Sequence, residues 1–324
     1  MDELKLFSYG DASFDSFIRF VKDYLAPHMK MDFVVEDYYR EVYECQWKHR
    51  FADAQISRGH SKSEIGIWIT IYIAVIQPFN PFYEQATGKK KRMYSQLISS
   101  SDGPTTNELF DRIKDFFEEN EELRTLKPSG YGDDKWNNEK IELTNGSTVY
   151  SRGIKMKRGL HVDRAWFDDL TTESSTLSDD ETWDFFTGAA LPMTTAKVAM
   201  VFIDGTPIRL TDIMSRLEKD DGWYHIKMPA IKDWETKEVL SPQRFSFDTL
   251  MEIRAKIGSV KFESEYMLNP IDDTVALIKR EWVRGCYDKA QKIYRHRAYF
   301  EEVYLGVDFA FSDRKSAVYS VFFV

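Results

Sequence analysis

Apolar positions change period along this chain in a regular way. Residues 1 to about 50 read as helical, with a break at Ala26-Pro27 and aromatics mixed among charges from Asp37 to Tyr43. A short strand is expected near 53–56. After a loop comes the apolar run from Ile65 to Ile76, which predicts a helix from Lys62 to about Gln77, stopped by Pro78 and Pro81. A second strand is expected over 93–99. Leu109, Ile113, Phe116 and Phe117 then fall at helical spacing, predicting a helix over about 105–119. Asn145-Gly146 between two short apolar stretches predicts a hairpin.

Two further buried strands follow. Ala165-Trp166-Phe167 runs into Asp168-Asp169, and the stretch from Val198 to Ile203 runs into Asp204-Gly205-Thr206-Pro207. Beyond them the pattern predicts a helix over 210–218, one strand over 224–231 and one helix over 245–268, ended by Asn269-Pro270. Residues 271–300 are mixed and basic. Residues 303–308 and 316–324 read as two strands of a second sheet. Alternating strands and helices imply an α/β fold with a mainly parallel sheet flanked by helices on both faces. The expected organisation is an N-terminal helical segment (1–35), an α/β domain (36–245), a helical or linker segment (246–300) and the start of another domain (301–324).

At 324 residues the chain is long enough for about two buried cores. The net charge of −9 gives no whole-molecule attraction to nucleic acid, so contact with DNA would need a local basic surface. Lys89 to Arg92 is one candidate. The basic residues Lys279, Arg280, Arg284, Lys289, Lys292, Arg295 and Arg297 form another, although solvated loops account for both. Cys45 and Cys286 show no pairing pattern, which fits a reducing compartment. Cys45 and His49 share helical spacing but lack a second ligand pair, so a free thiol beside a surface histidine is expected there. The twelve-residue apolar run is short of the roughly twenty needed to span a bilayer. The acidic N-terminus lacks the pattern of a secretory signal.

The candidate chemistry begins at Ile56-Ser57-Arg58-Gly59-His60-Ser61-Lys62-Ser63. Binding phosphate calls for converging backbone N–H groups, a helix N-terminus and a lysine. Gly59, His60, Ser61, Lys62 and Ser63 are placed to supply these, with the Ser63 hydroxyl available to Mg²⁺. The stretch departs from G-x-x-x-x-G-K-[S/T] at both glycines, which are Ile56 and Ser61 here. On its own it also fits a helix simply capped by Ser61. Asp168, ending a buried strand about a hundred residues later, suits a metal. Asp169, or secondarily Glu173, suits the positioning of an attacking water. Two solvent-facing acids after a strand would look the same. Gly205-Thr206-Pro207 is either a γ-phosphate sensor or a turn.

Taken in order, these segments resemble the motor domain of terminase large subunits of tailed-bacteriophage type. So do Lys157-Arg158-Gly159 ahead of the acidic strand, the run from Thr211 to Leu217, Met228-Pro229-Ala230-Ile231 and the run from Phe262 to Pro270. Leu305-Gly306-Val307-Asp308-Phe309-Ala310 resembles the opening strand of the terminase nuclease, a ribonuclease-H-like fold. The resemblance implies a P-loop ATPase that drives double-stranded DNA into a viral capsid in the host cytoplasm. A portal and a small terminase subunit would be partners, a homo-oligomeric ring is possible, and no membrane is involved.

Under this resemblance ATP and Mg²⁺ are held by Lys62, Ser63 and Asp168, while Asp169 is the catalytic acid, a position more usually glutamate. Arg58 senses the γ-phosphate, Thr206 is the coupling position, and Arg158 reaches into a neighbouring subunit's site. A metal pair is implied for a complete nuclease, of which Asp308 is the one matched carboxylate, so a competent nuclease site is not expected. Ser61 stands where the family usually keeps glycine, and its Cβ would crowd the phosphates. A different P-loop helicase or translocase is one rival reading. A non-catalytic adaptor that has kept the fold is another.

Overall fold

A computed structural model of the chain describes residues 12–29, 33–129, 135–153, 160–193, 198–270, 306–308 and 321–323. The chain divides into two compact units, 1–272 and 273–324.

Unit one is built on a seven-stranded sheet. Its strands are β1 (Phe51–Ile56), β2 (Ser95–Ser100), β3 (Lys140–Glu142), β4 (Thr148–Ser151), β5 (Arg164–Asp168), β6 (Met200–Gly205) and β7 (Tyr224–Met228). They lie in the order β3-β4-β2-β5-β6-β1-β7, and only the β3–β4 pair is antiparallel. The doubly wound sheet expected from alternation is therefore present, with the Asn145-Gly146 hairpin at one edge.

The α-helices of four or more residues among the described residues are α1 (Phe14–Phe20), α2 (Tyr38–Lys48), α3 (Lys62–Ile76), α4 (Pro81–Thr87), α5 (Gly103–Glu119), α6 (Glu121–Arg124), α7 (Asp179–Phe185), α8 (Ile213–Leu217), α9 (Phe247–Ile257) and α10 (Ser259–Glu265). Every residue of α3 from Ile65 to Ile76 is buried. A helix that is apolar all round must be covered all round. One side of α3 lies on the sheet, where Gly66 meets Trp166 of β5 so closely that a Cβ there would sit 2.0 Å from the indole ring. The other side is covered by aromatics of α1 and α2. Phe17 stacks on Tyr43 with ring centroids 4.5 Å apart, and Tyr72 of α3 meets Phe17 edge-on at 5.5 Å. The N-terminal helices thus complete the core on this face of the sheet. The opposite sheet face packs Ala165, Phe167, Val201 and Ile203 against Ile213, Met214 and Leu217 of α8.

Two expected elements differ. The strand over 224–231 is divided. β7 stops at Met228 because Pro229 cannot continue a hydrogen-bonded ladder, and Ile231–Asp233 (β8) instead pairs antiparallel with Glu238–Val239 (β9). The helix over 245–268 is also divided. Gly258, at φ 86° and ψ 157°, takes a conformation outside the helical region and separates α9 from α10.

In unit two, Gly306–Asp308 (β10) and Val321–Phe323 (β11) pair antiparallel, with Val307 opposite Phe322. Both lie within the two expected strands, whose other residues are outside the described ones. The expected basic stretch 279–297, Cys286 and Arg158 lie outside the described residues.

Candidate functional site

The C-terminal ends of β1, β5 and β6 meet under the N-terminus of α3. The loop between β1 and α3 is tied down on several sides. The Ser57 amide donates to Met228 O at 3.2 Å, the Arg58 amide to Glu265 O at 2.9 Å, and the Tyr38 hydroxyl to His60 O at 2.9 Å. Gly59 turns at φ 80°, and a Cβ there would lie 2.8 Å from the Phe245 ring. Only glycine meets both conditions.

Ser61 follows at φ 55° and ψ 25°, the left-handed region, directly before the helix. Its side chain makes no capping hydrogen bond, so the reading of Ser61 as a simple cap is overturned. A capping serine uses extended backbone angles to bring its hydroxyl over the first turn, and the left-handed turn aims it elsewhere. The first N–H groups of an α-helix have no intrahelical acceptor, and here no capping side chain takes them. They are oriented to receive an anion.

His60 serves the loop through its ring. The Ser57 hydroxyl lies 2.7 Å from Nδ1, and the Phe245 ring packs against the imidazole in a tilted arrangement, centroids 5.2 Å apart. Burial drives its pKa down to about 4, so the ring is neutral at pH 7. The residue sits in the expected phosphate-binding loop, but its side chain is a buried brace.

Lys62 and Ser63 open α3 and reach toward the acids. Lys62 Nζ lies 2.9 Å from Asp169 Oδ2 and 3.5 Å from Thr206 Oγ1. Burial acts to lower the Lys62 pKa, but Asp169, Asp168 and Asp204 together outweigh it and raise the value. The Ser63 hydroxyl lies 2.9 and 3.0 Å from the two oxygens of Asp168. Asp168 is buried at the end of β5, and its pKa is raised to about 7 by burial and by the neighbouring Asp169. Asp169 turns away at φ 43°, a left-handed position that aspartate tolerates better than most residues. Thr206 links the group: its hydroxyl donates to Ile56 O at 3.1 Å and its amide to Asp169 Oδ1 at 3.3 Å.

Lys62, Ser63, Asp168, Asp169 and Thr206 are therefore brought together. Two other candidates are held aside. Arg58 donates to Glu265 of α10 at 2.6 Å, with its side chain 65% exposed. Glu173 pairs with Lys261 at 3.2 Å on the exposed surface. Asp308 closes β10, in the second unit. Cys45 donates its thiol to Val42 O, and His49 stacks on Tyr224 at 3.7 Å, so the two do not act as a ligand pair. A cavity of about 240 Å³ lined in part by these two residues, Arg40 and Glu44 shares no residue with the acidic site.

One residue of the cluster escaped the sequence reading. Asp204 is fully buried on β6, paired in register with Asp168, and its Oδ1 accepts from Trp166 Nε1 at 2.9 Å. Its sequence signal was an acid ending an apolar strand, the same signal that marked Asp168.

The chemistry of this donor set fits a divalent cation beside a phosphate chain. Among the described residues no group of three or more His, Cys, Asp or Glu forms a metal cage. A cation held by the Ser63 hydroxyl and the Asp168 carboxylate would take few direct protein ligands. Mg²⁺ does so, using one or two side chains while waters and phosphate oxygens complete its shell.

No family model matches the sequence, and no curated protein matches it. Solved structures do. The large terminase of bacteriophage HK97 superposes with a TM-score of 0.54 at 12% identity, covering 80% of this chain, which spans 57% of that terminase. The large terminase ATPase domain of Thermus phage P74-26 gives a TM-score of 0.50 at 13% identity, covering 74% of this chain and 95% of that domain. A point mutant of the same domain gives 0.51 at 12% identity. The α/β sheet of this chain has the fold of a phage large terminase ATPase domain.

Proposed function

We propose that the chain is an ATP-hydrolysing motor of viral DNA packaging, carrying the terminase ATPase site at Lys62, Ser63, Asp168, Asp169 and Thr206. The observation that carries this reading is the Lys62–Asp169 contact of 2.9 Å under a helix N-terminus, beside Ser63 on Asp168, in a terminase-type sheet. The α3 N-terminus and Lys62 would bind the phosphates of ATP, and Ser63 and Asp168 would hold Mg²⁺. That ion, when bound, neutralises charge on the phosphates.

Without nucleotide, Lys62 and Asp169 neutralise each other. Phosphate oxygens compete for the ammonium, which frees the Asp169 carboxylate to accept a proton from the attacking water. The water oxygen bonds to the γ-phosphorus as the bridging oxygen to the β-phosphorus departs, giving ADP and phosphate. Thr206 touches both Lys62 and Asp169, so it is placed to report this exchange to β6. Arg58 acts on the γ-phosphate in this reading after leaving Glu265, and Arg158 acts in a neighbouring subunit of a ring.

DNA would be gripped through its phosphates, because packaging cannot depend on sequence. Lys89 and Lys90 are exposed, whereas Lys91 pairs with Asp163 and Arg92 caps α3 through Gln77 O at 2.8 Å. These residues precede β2, so they lie at the end of the sheet away from the acidic site. Portal and small-subunit partners and action in the host cytoplasm belong to the same proposal. The nuclease part rests on β10 with Asp308, and a metal pair would need further carboxylates.

ATP turnover by wild type and Lys62→Ala, with and without duplex DNA, tests the reading. Turnover stimulated by duplex and lost in Lys62→Ala is expected. No turnover by the wild type would favour the adaptor, and stimulation by single strands alone would favour a helicase-type ATPase.

A further inference from the structure

Parallel pairing places Ser100 of β2, Asp168 of β5 and Asp204 of β6 in one row on the α3 face of the sheet. Asp168, in the centre, carries the Ser63 hydroxyl. The residues on either side each keep a buried oxygen for which no protein donor other than Asp168 itself is in reach among the described residues: Ser100 Oγ and Asp204 Oδ2. Both residues are fully buried. Buried polar atoms are normally paired, so an oxygen with no partner beyond that one carboxyl on each side of it calls for an explanation.

Trp166 adds a second constraint. Its indole N–H holds Asp204 Oδ1 at 2.9 Å, while its ring is pinned by the bare Cα of Gly66. The Asp204 carboxyl is thereby fixed beside Asp168 and cannot swing toward another donor. Asp168, Asp169 and Asp204 all face the Lys62 ammonium.

We infer that Asp204 is a further residue of the cation site: a positioning residue that, with Ser100 opposite, receives the water shell of a divalent ion held by Ser63 and Asp168. The inference rests on the ATPase reading of that site and adds to it the groups that hold the ion's waters. Mg²⁺ gives up its waters reluctantly, so acceptors for those waters form part of its binding site. Partners of this kind are worth about 10–100-fold in metal affinity.

Mn²⁺ serves as the probe, titrated by electron paramagnetic resonance against the nucleotide-free full chain. Asp204→Asn keeps the side-chain volume and an oxygen for Trp166. It is expected to weaken Mn²⁺ about 10–100-fold, with a melting temperature in EDTA no lower than wild type. A purely structural Asp204 predicts the reverse, a lower melting temperature with Mn²⁺ affinity unchanged, and that result overturns the inference. Asp168→Asn separates the two levels. If the wild type binds no Mn²⁺, or Asp168→Asn leaves binding intact, the cation site itself is wrong and the inference falls with it. If Asp168→Asn abolishes binding and Asp204→Asn does not weaken it, only the inference fails. Should Asp204→Asn not fold, Ser100→Ala decides from the other side of the row, and unchanged Mn²⁺ affinity in that folded variant overturns the inference.

Discussion

Replacing Ser61 by glycine should stabilise the protein, the opposite of what removing a helix-capping serine does. A capping serine contributes typically about 1 kcal/mol through its hydroxyl. Ser61 makes no such bond, and its backbone sits at φ 55°, where a Cβ costs roughly 1–2 kcal/mol. Glycine removes that strain but gives the unfolded chain more freedom, which offsets about 0.4–1 kcal/mol. The net is a gain of about 0.5–1 kcal/mol. For a unit of this size that corresponds to a rise of about 1–3 °C in melting temperature. Urea titration reads it as a higher midpoint with unchanged slope, the mark of a stability change without a change in the exposed surface. Ser61→Ala is the control. It keeps the strained Cβ and loses only the hydroxyl, so it should stay within about 0.5 kcal/mol of wild type. A drop of about 1 kcal/mol in Ser61→Ala, or a lower midpoint in Ser61→Gly, would refute the reasoning, because either would mean that the hydroxyl caps the helix. ATP affinity, measured by calorimetry, should not fall in Ser61→Gly, since removing the Cβ also clears the approach to the phosphates.

Other perturbations follow from the same geometry. Gly66→Ala ordinarily favours a helix by about 1 kcal/mol. Here the new methyl meets the Trp166 ring at 2.0 Å, so thermal unfolding should show a loss of about 1–3 kcal/mol. Gly59→Ala should destabilise by a similar amount, since φ 80° and the Phe245 ring both oppose a Cβ. The Asp168 carboxyl keeps its proton to about pH 7 in the folded chain, against 3.8 for an ordinary aspartate. The stability it contributes is thus fully present below about pH 4 and is lost as pH rises through 7, by up to a few kcal/mol. Melting temperatures in EDTA should accordingly fall across that window, and Mg²⁺ should restore them most at the alkaline end.

What could be read from the chain, and what could not, divides along sequence distance. The apolar run of α3 announced a helix buried on every side, and the aromatics of α2 that help to cover it stood out among the charges from Asp37 to Tyr43. Local periodicity was enough for these. It failed where a single residue interrupts a pattern that is otherwise continuous: Pro229 inside an apolar stretch, and Gly258 inside a helical one. The loop before α3 shows a subtler failure. Serine before a helix ordinarily signals a cap, and nothing local reveals that residue 61 turns left-handed, because that angle is imposed by a loop tied to Met228, Glu265 and Tyr38. The same holds for Asp204. Asp168 and Asp204 each end an apolar strand before a polar turn, and only parallel pairing of β5 with β6 makes them neighbours. Arg58 gives the longest case, since the carboxylate that holds it lies 207 residues away. Motif order could thus point to residues that the fold brings together. Which side chains complete it depends on strand order and register, and these follow from how the whole sheet packs.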